Sequence, residues 1–502
     1  MKIERLWGGR FEELPSKERV DFLSGRDVKG IPPCDERLIP YDLWGSRVHL
    51  LMLYRQKILS KGDAKKLLKG LRELQALYEK GRFKLDPVKE DVHSNVESFL
   101  IDRLGMDFGG KIHTGRSRND QIALDMRLYL RDRILDYMEG LVGLIEALLE
   151  RAEEHGATVM PGYTHHQPAM VTTFGHLLLS FAEAHRRDID RFAHWWPLFN
   201  QNPLGAAAGY GSSLPLDRDL TSSLLGFDAP TENTLDPITQ RWEPEAELAY
   251  AVCMVMNHLA TLAQTLILLA TSEFQMIRLS DRHSTGSSIM PQKRNPDSLE
   301  VIKAKSAYAQ GVLMSLLSVG KGLFMGYNRE TQWTKYWIMD LVDETLPALP
   351  AIAEVIRQLQ VNKEAMKGKA KAAFIGTTFL MEHLITSYKL PMRQAKRVIE
   401  KAVRYAEEEG KEVVTDQALK RAIGEMKLNL PFRPKETMRI QMPEEALSRY
   451  VAIGTPSLRR VKENLRSLRK KVKQARSWIR QRRGKMEKAI ETMERLEREI
   501  ER

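Results

Sequence analysis

The stretch Ser284-Thr-Gly-Ser-Ser-Ile-Met-Pro-Gln-Lys-Arg-Asn-Pro-Asp-Ser-Leu-Glu300 decides how this chain reads. Gly286 frees the backbone just before two hydroxyls, Ser287 and Ser288, and Pro291 and Pro296 restrict it on either side of two cations, Lys293 and Arg294. Asn295 followed by Pro296 predicts a helix N-cap and first turn, with Glu300 inside the first two turns. A positively charged loop entering a helix N-terminus is suited to closing over an anion while presenting a hydroxyl to it. A plain polar surface loop uses the same residue types, so it is the order of the residues that carries weight.

Three other segments have the same polar character. His113-Thr-Gly-Arg-Ser-Arg-Asn-Asp-Gln121 gathers two arginines, an amide and two hydroxyls on one turn, before a long amphipathic helix expected from about Asp120. Arginine forks match carboxylates, and a helix N-terminus adds backbone donors, although a surface salt-bridge cluster reads similarly. Pro161-Gly-Tyr-Thr-His-His-Gln-Pro168 predicts a bend carrying Thr164, His165 and His166, with a helix following from about Thr172 to Trp196. In Glu90-Asp-Val-His-Ser-Asn-Val-Glu97, His93 and Glu97 stand four apart on one predicted helix face. The sequence offers them no third ligand nearby, so no metal is expected. Tyr327-Asn-Arg-Glu-Thr-Gln-Trp-Thr-Lys335 reads by itself as an ordinary polar helix start.

The Gly286–Pro296 wording resembles the signature of the fumarase/aspartase superfamily, whose members cleave C–N or C–O bonds and release fumarate. The His113–Gln121 segment, the opening Leu6-Trp-Gly-Gly-Arg-Phe11, and the spacing of Tyr327, Gln332 and Lys335 are similar to argininosuccinate lyases in particular. That resemblance implies an all-α, three-domain fold with a central bundle of long helices. It also implies a homotetramer in which three subunits build each site. By the same resemblance Ser287 is the base, Lys293 and Asn295 stabilise the developing charge, and His165 is the catalytic histidine paired with Glu300. Asn119, Thr164, Tyr327, Gln332, Lys335, His93 and Arg116 are implied as substrate ligands. Phe22-Leu-Ser24 is similar to an early substrate-binding segment, which adds Ser24. The family's Asp after that serine has its nearest fit in Asp35, beyond an apparent insertion with Pro32 and Pro33. The segments Asn202–Gly205, Gly211–Arg218 and Asn233–Asp236 fit cleft-shaping loops, but the family's Asp-Arg-Asp is here Gln240-Arg241-Trp242. The implied reaction needs no metal or organic cofactor. Adenylosuccinate lyase is the nearest rival activity; a non-catalytic interaction protein that kept the fold is the rival of another class.

At 502 residues the chain has room for several domains, read as 1–111, 112–360, 361–456 and a tail 457–502. Arg459 to Lys485 holds thirteen Lys or Arg against one Glu, which accounts for the whole net charge of +12. The charge therefore belongs to the tail and says nothing about a substrate site, and it is only a weak pointer to nucleic acid. From residue 461 to 500 apolar or small residues recur at alternating steps of four and three, interrupted by Arg482, which is coiled-coil periodicity. Gly484 is a candidate hinge between two halves of this extension. Leu248–Ser272 carries no charge and reads as a helix buried in a bundle, not as a membrane span. Two isolated cysteines and no apolar leader predict a reducing cytoplasm.

Overall fold

The computed structural model describes residues 33–430 and 435–502, together with Glu18, Asp21 and Phe22. The Leu6–Phe11 opening and Ser24 lie outside the described residues. The fold is all-α. Helices α1 (Ile39–Arg55), α2 (Lys61–Glu79) and α3 (Val92–Leu104) precede α4 (Arg118–Glu154). A hairpin, β1 (Val159–Thr164) and β2 (Gln167–Thr173), turns the chain into α5 (Phe174–Phe199). Next come α6 (Glu243–Ala270), α7 (Asp297–Gly320), α8 (Thr334–Thr345) and α9 (Ala348–Gln358), then short helices from Lys363 to Ser448, and finally α10 (Leu458–Glu501).

Helix α4 forms because its start is firmly set. The Ser117 side chain accepts from the Asn119 amide at 3.3 Å and Asp120 Oδ1 accepts from the Ser117 amide at 2.9 Å, a reciprocal capping box. At 1.5 Å per residue its 37 residues span about 55 Å. Its apolar positions, from Ile122 through Leu149, join a core that also takes Leu178, Trp195, Leu259, Leu316 and Leu349. The apolar helix expected from Leu248 is α6, and its buried side includes Leu248, Val252, Val255, Leu259, Leu262 and Leu266. Length and composition alone would let α6 cross a membrane, but half of its most apolar window is buried inside the chain. Cys34 and Cys253 are free and buried, which pushes both thiols up to about 11.

Helix ends moved slightly from expectation. Ser60, not Asp63, caps α2: its side chain accepts from the Asp63 amide at 3.1 Å. Helix α7 begins at Asp297 with Pro296 in the cap position, because Asn295 is engaged elsewhere. Residues 159–173 form a two-stranded antiparallel hairpin instead of a simple bend. Val159 and Val171 from this hairpin enter a second core with Phe379, Leu380, Val398 and Ile440, so the hairpin anchors the 363–448 region to the bundle end.

The tail is one unbroken helix through Gly484, so that residue is no hinge. Its seam residues Val461, Leu465, Leu468, Val472, Ile479, Met486, Met493 and Ile500 are buried in the chain's own main core. Beside the seam run three ion pairs at seven-residue steps: Arg469 to Glu153 (2.6 Å), Arg476 to Glu146 (2.5 Å) and Arg483 to Glu139 (2.8 Å). The acids descend along α4 as the arginines ascend along α10, as an antiparallel pair requires. Arg482, the break in the pattern, stacks its guanidinium 5.1 Å from Trp478 and 5.5 Å from Trp196. Near its end Glu497, fully buried, accepts from Arg47 through both oxygens at 2.7 Å and from Arg72 at 2.9 Å.

Candidate active site

A cavity opens where α4 and α6 start and α7 has just ended. Asn119, Arg118 and Ile122 enter from the α4 start, Arg241 from before α6, and Tyr327, Gln332 and Lys335 from beyond α7. Asp35 and His93 complete the wall from the N-terminal region. Lys335 is buried and paired with Asp35, whose other oxygen accepts from the Val92 amide at 3.1 Å. One carboxylate thus orients a cavity cation and fixes the start of α3. The Tyr327 hydroxyl donates to Gln332 Oε1 at 3.1 Å. Asn119 is held by the capping box, and Asp120 Oδ2 also accepts from the amides of Gly205 (3.0 Å) and Ala207 (2.8 Å). Burial pushes the Asp120 carboxyl up to about 6.

His93 donates from Nδ1 to Asp42 Oδ1 at 2.9 Å and has Asp125 Oδ2 at 3.6 Å, while Gln121 donates to the same Asp42 oxygen at 3.3 Å. Its Nε2 is buried without a partner. The carboxylates that stand with His93 are therefore Asp42 and Asp125, which spacing along the chain did not offer. Glu97, the neighbour expected from helix spacing, instead faces His113 at 3.9 Å. A second such group joins His185 and His258 to Asp188, whose other oxygen is held by Arg191 at 2.9 Å.

Arg116 does not line the cavity. It is buried behind it, donates to Ser46 Oγ at 3.0 Å, and sits in the field of Asp42, Asp120 and Asp125. Three carboxylates thus surround its charge inside the protein, while its Nε makes no hydrogen bond. Arg118, two residues on, occupies the rim and donates to Asp91 (3.0 Å) and Glu90 (3.3 Å). Arg118, Asp42, Asp125 and Arg241 escaped the sequence reading as site residues. The Arg118-Asn119 pair at the helix start was the one available signal among them.

The remaining site residues lie elsewhere on the chain. Thr164 ends β1, and His165 and His166 form the two-residue turn with φ of 55° and 62°. Such turns favour Asn-Gly, and a side chain held in this region costs about 1–2 kcal/mol. Both imidazoles are exposed at the hairpin tip. In the signature loop, Thr285 and Asn295 exchange amide bonds at 3.1 and 2.8 Å, pinning the base. The Asn295 side chain donates to Gly286 O at 3.3 Å, which is why it does not cap α7. Arg294 is a brace, donating to Asp281 (2.6 Å) and to Leu279 O (3.0 Å). Ser287 Oγ accepts from the amides of Met290 (3.0 Å) and Ile289 (3.3 Å). Lys293 and Glu300 are exposed. The hairpin and α4's start lie at opposite ends of a helix about 55 Å long. His165 and Asn119 of one chain therefore cannot touch one small molecule.

Next to the cavity, Glu245 is fully buried, and burial, opposed by the Arg241 charge, pushes its carboxyl up to about 7. Between pH 4.5 and 7 the folded state holds a proton there that the unfolded chain releases, so stability falls as pH rises through that window. Replacing Glu245 by Gln is expected to leave stability at pH 4.5 nearly unchanged and to raise it by about 2–3 kcal/mol at pH 8. Urea unfolding of both proteins at the two pH values measures this.

The lyase family profile matches residues 43–311. The chain is 42% identical over 400 residues to argininosuccinate lyase of Heliobacterium mobile, covering 80% of this chain and 85% of that one. It is 40% identical over 409 residues to argininosuccinate lyase of Acetivibrio thermocellus, covering 82% and 87%. Among solved structures, EDDS lyase in complex with formate superposes with a TM-score of 0.88 at 27% identity, over 97% of this chain and 96% of that one. At that coverage most of α10 has a counterpart, so the extension is not peculiar to this chain. Class II fumarase of Schistosoma mansoni shares the fold, with a TM-score of 0.69 at 17% identity over 89% and 96%. The chain belongs to the argininosuccinate lyase family of the fumarase/aspartase superfamily.

Proposed function

We propose that this protein is a carbon–nitrogen lyase that cleaves argininosuccinate into arginine and fumarate. What supports this reading most is about 40% identity to argininosuccinate lyases over four-fifths of the chain. It is joined to a cavity whose Asn119, Tyr327, Gln332 and Lys335 suit an amino-acid end. The active unit is a tetramer in a reducing, aqueous compartment. The Ser287 loop and the His165 hairpin of neighbouring copies complete each cavity.

The hard step is removal of a proton beside a carboxylate. Ser287 takes that proton, and the charge spreads into the neighbouring carboxylate as a doubly charged aci-form. Lys293, Asn295 and the amides before α7 hold that charge more strongly than they hold the ground state, which is what lowers the barrier. A serine is a poor base in water, so closure of the pinned loop, with Lys293 beside the hydroxyl, must exclude solvent. His165, oriented by Glu300, returns a proton to the departing guanidinium nitrogen, and the C–N bond breaks as the C=C of fumarate forms.

The full-length structural likeness to EDDS lyase favours a second substrate of the same reaction type. Purified protein given argininosuccinate, adenylosuccinate or EDDS, with fumarate read by its ultraviolet absorbance, tests both readings. Fumarate is expected from argininosuccinate far faster than from the others, and a reversed order would overturn the proposal.

A further inference from the structure

We propose that Arg241 is a carboxylate receptor of the cavity, binding the carboxylate at the amino-acid end of the substrate. The inference rests on the lyase reading above and adds a residue to it. Arg241 is only 6% exposed and lines the cavity beside Tyr327, with its guanidinium 5.8 Å from that ring. Its Nε and Nη2 are buried without a hydrogen-bond partner. A buried guanidinium ordinarily has a carboxylate or carbonyl facing it, because its fork loses strong water bonds on burial.

The neighbours do not supply that partner. Arg241 is flanked by Gln240 and Trp242, which are bonded to each other: the indole N–H donates to Gln240 Oε1 at 3.2 Å. Trp242 also lies so close over Gly320 that any side chain there would meet its ring. The flanking positions are therefore committed to packing. Of the other cavity cations, Lys335 is paired with Asp35 and Arg118 with Asp91 and Glu90, and Arg329 is exposed, so Arg241 alone is both buried and unbonded. Glu245 is the acid whose charge acts most on Arg241, but it makes no hydrogen bond to it. What remains is an unbonded guanidinium in the cavity wall, a group whose hydrogen bonds a planar carboxylate can complete. Ser287, Lys293 and His165 are expected to serve the reacting succinyl end and do not line this cavity from the same chain. The carboxylate is accordingly assigned to the other end of the substrate.

The test compares argininosuccinate with its decarboxylated counterpart, the agmatine–succinate adduct, which keeps the guanidine and succinyl groups but lacks the amino-acid carboxylate. Arg241→Gln is expected to raise KM for argininosuccinate about 10- to 100-fold with kcat nearly unchanged, the usual worth of a charged hydrogen bond. KM for the adduct should not move, and Arg241→Lys should recover part of the loss. Equal losses on both substrates, or a fall in kcat alone, would overturn the assignment in favour of a structural role. The parent protein in the same assay separates the two claims. A parent that releases no fumarate from argininosuccinate sinks the lyase reading, whereas an active parent with a non-discriminating variant sinks only the role of Arg241.

Discussion

Ser287→Ala is expected to lower kcat by about 10²–10⁴ with little change in KM, the range for removing an acid–base group. The side chain sits in a loop anchored through the Thr285–Asn295 bridge and the Arg294–Asp281 ion pair, and neither needs the Ser287 hydroxyl. The substitution removes only its two local bonds from the Ile289 and Met290 amides. Thermal melting should therefore be unchanged while turnover collapses. Steady-state fumarate release beside a melting curve distinguishes this from unfolding. A variant with parental turnover would remove the hydroxyl from the chemistry.

The second large effect concerns copies of the chain. Asn119→Ala and His165→Asn variants should each lose about 10²–10³ or more in turnover, through lost orientation and lost acid–base catalysis respectively. Because these residues lie beyond opposite ends of α4, on the proposed reading a site takes them from different copies. Mixing the two inactive variants under conditions that exchange subunits should then regenerate fumarate release, since some sites receive both natural residues. Two variants acting within one chain could never rescue each other. Absence of any recovery, with subunit exchange verified by mass, would mean that the motifs do not share a site.

Long helices were legible because their apolar spacing holds over many turns, and the Ser284–Glu300 segment was legible because its glycine, prolines and cations occur in a fixed order. The hairpin was read as a bend because Pro161 and Pro168 argue against strands, and because its turn uses His165 and His166 where Asn-Gly is usual. Asp42 and Asp125 gave no signal beside His93, since contacts between α1, α3 and α4 are set by packing and not by spacing along the chain. Arg116 and Arg118 are indistinguishable as residue types, and only burial shows which one faces the cavity. Gly484 read as a hinge on propensity, where a helical glycine costs about 1 kcal/mol. Arg483 and Lys485 on either side are tied to Asp136, Glu139 and Asp228, which offsets that cost.

The Glu497 clasp gives the chain an order of completion. Arg47 leaves the ribosome 450 positions before the carboxylate that neutralises it. N-terminal segments usually fold as they emerge, but α1 cannot bury Arg47 cheaply until α10 arrives. A product broken off before residue 497 would leave that cation the neutral Gln75, whose Oε1 accepts from it at 2.9 Å, in place of a carboxylate.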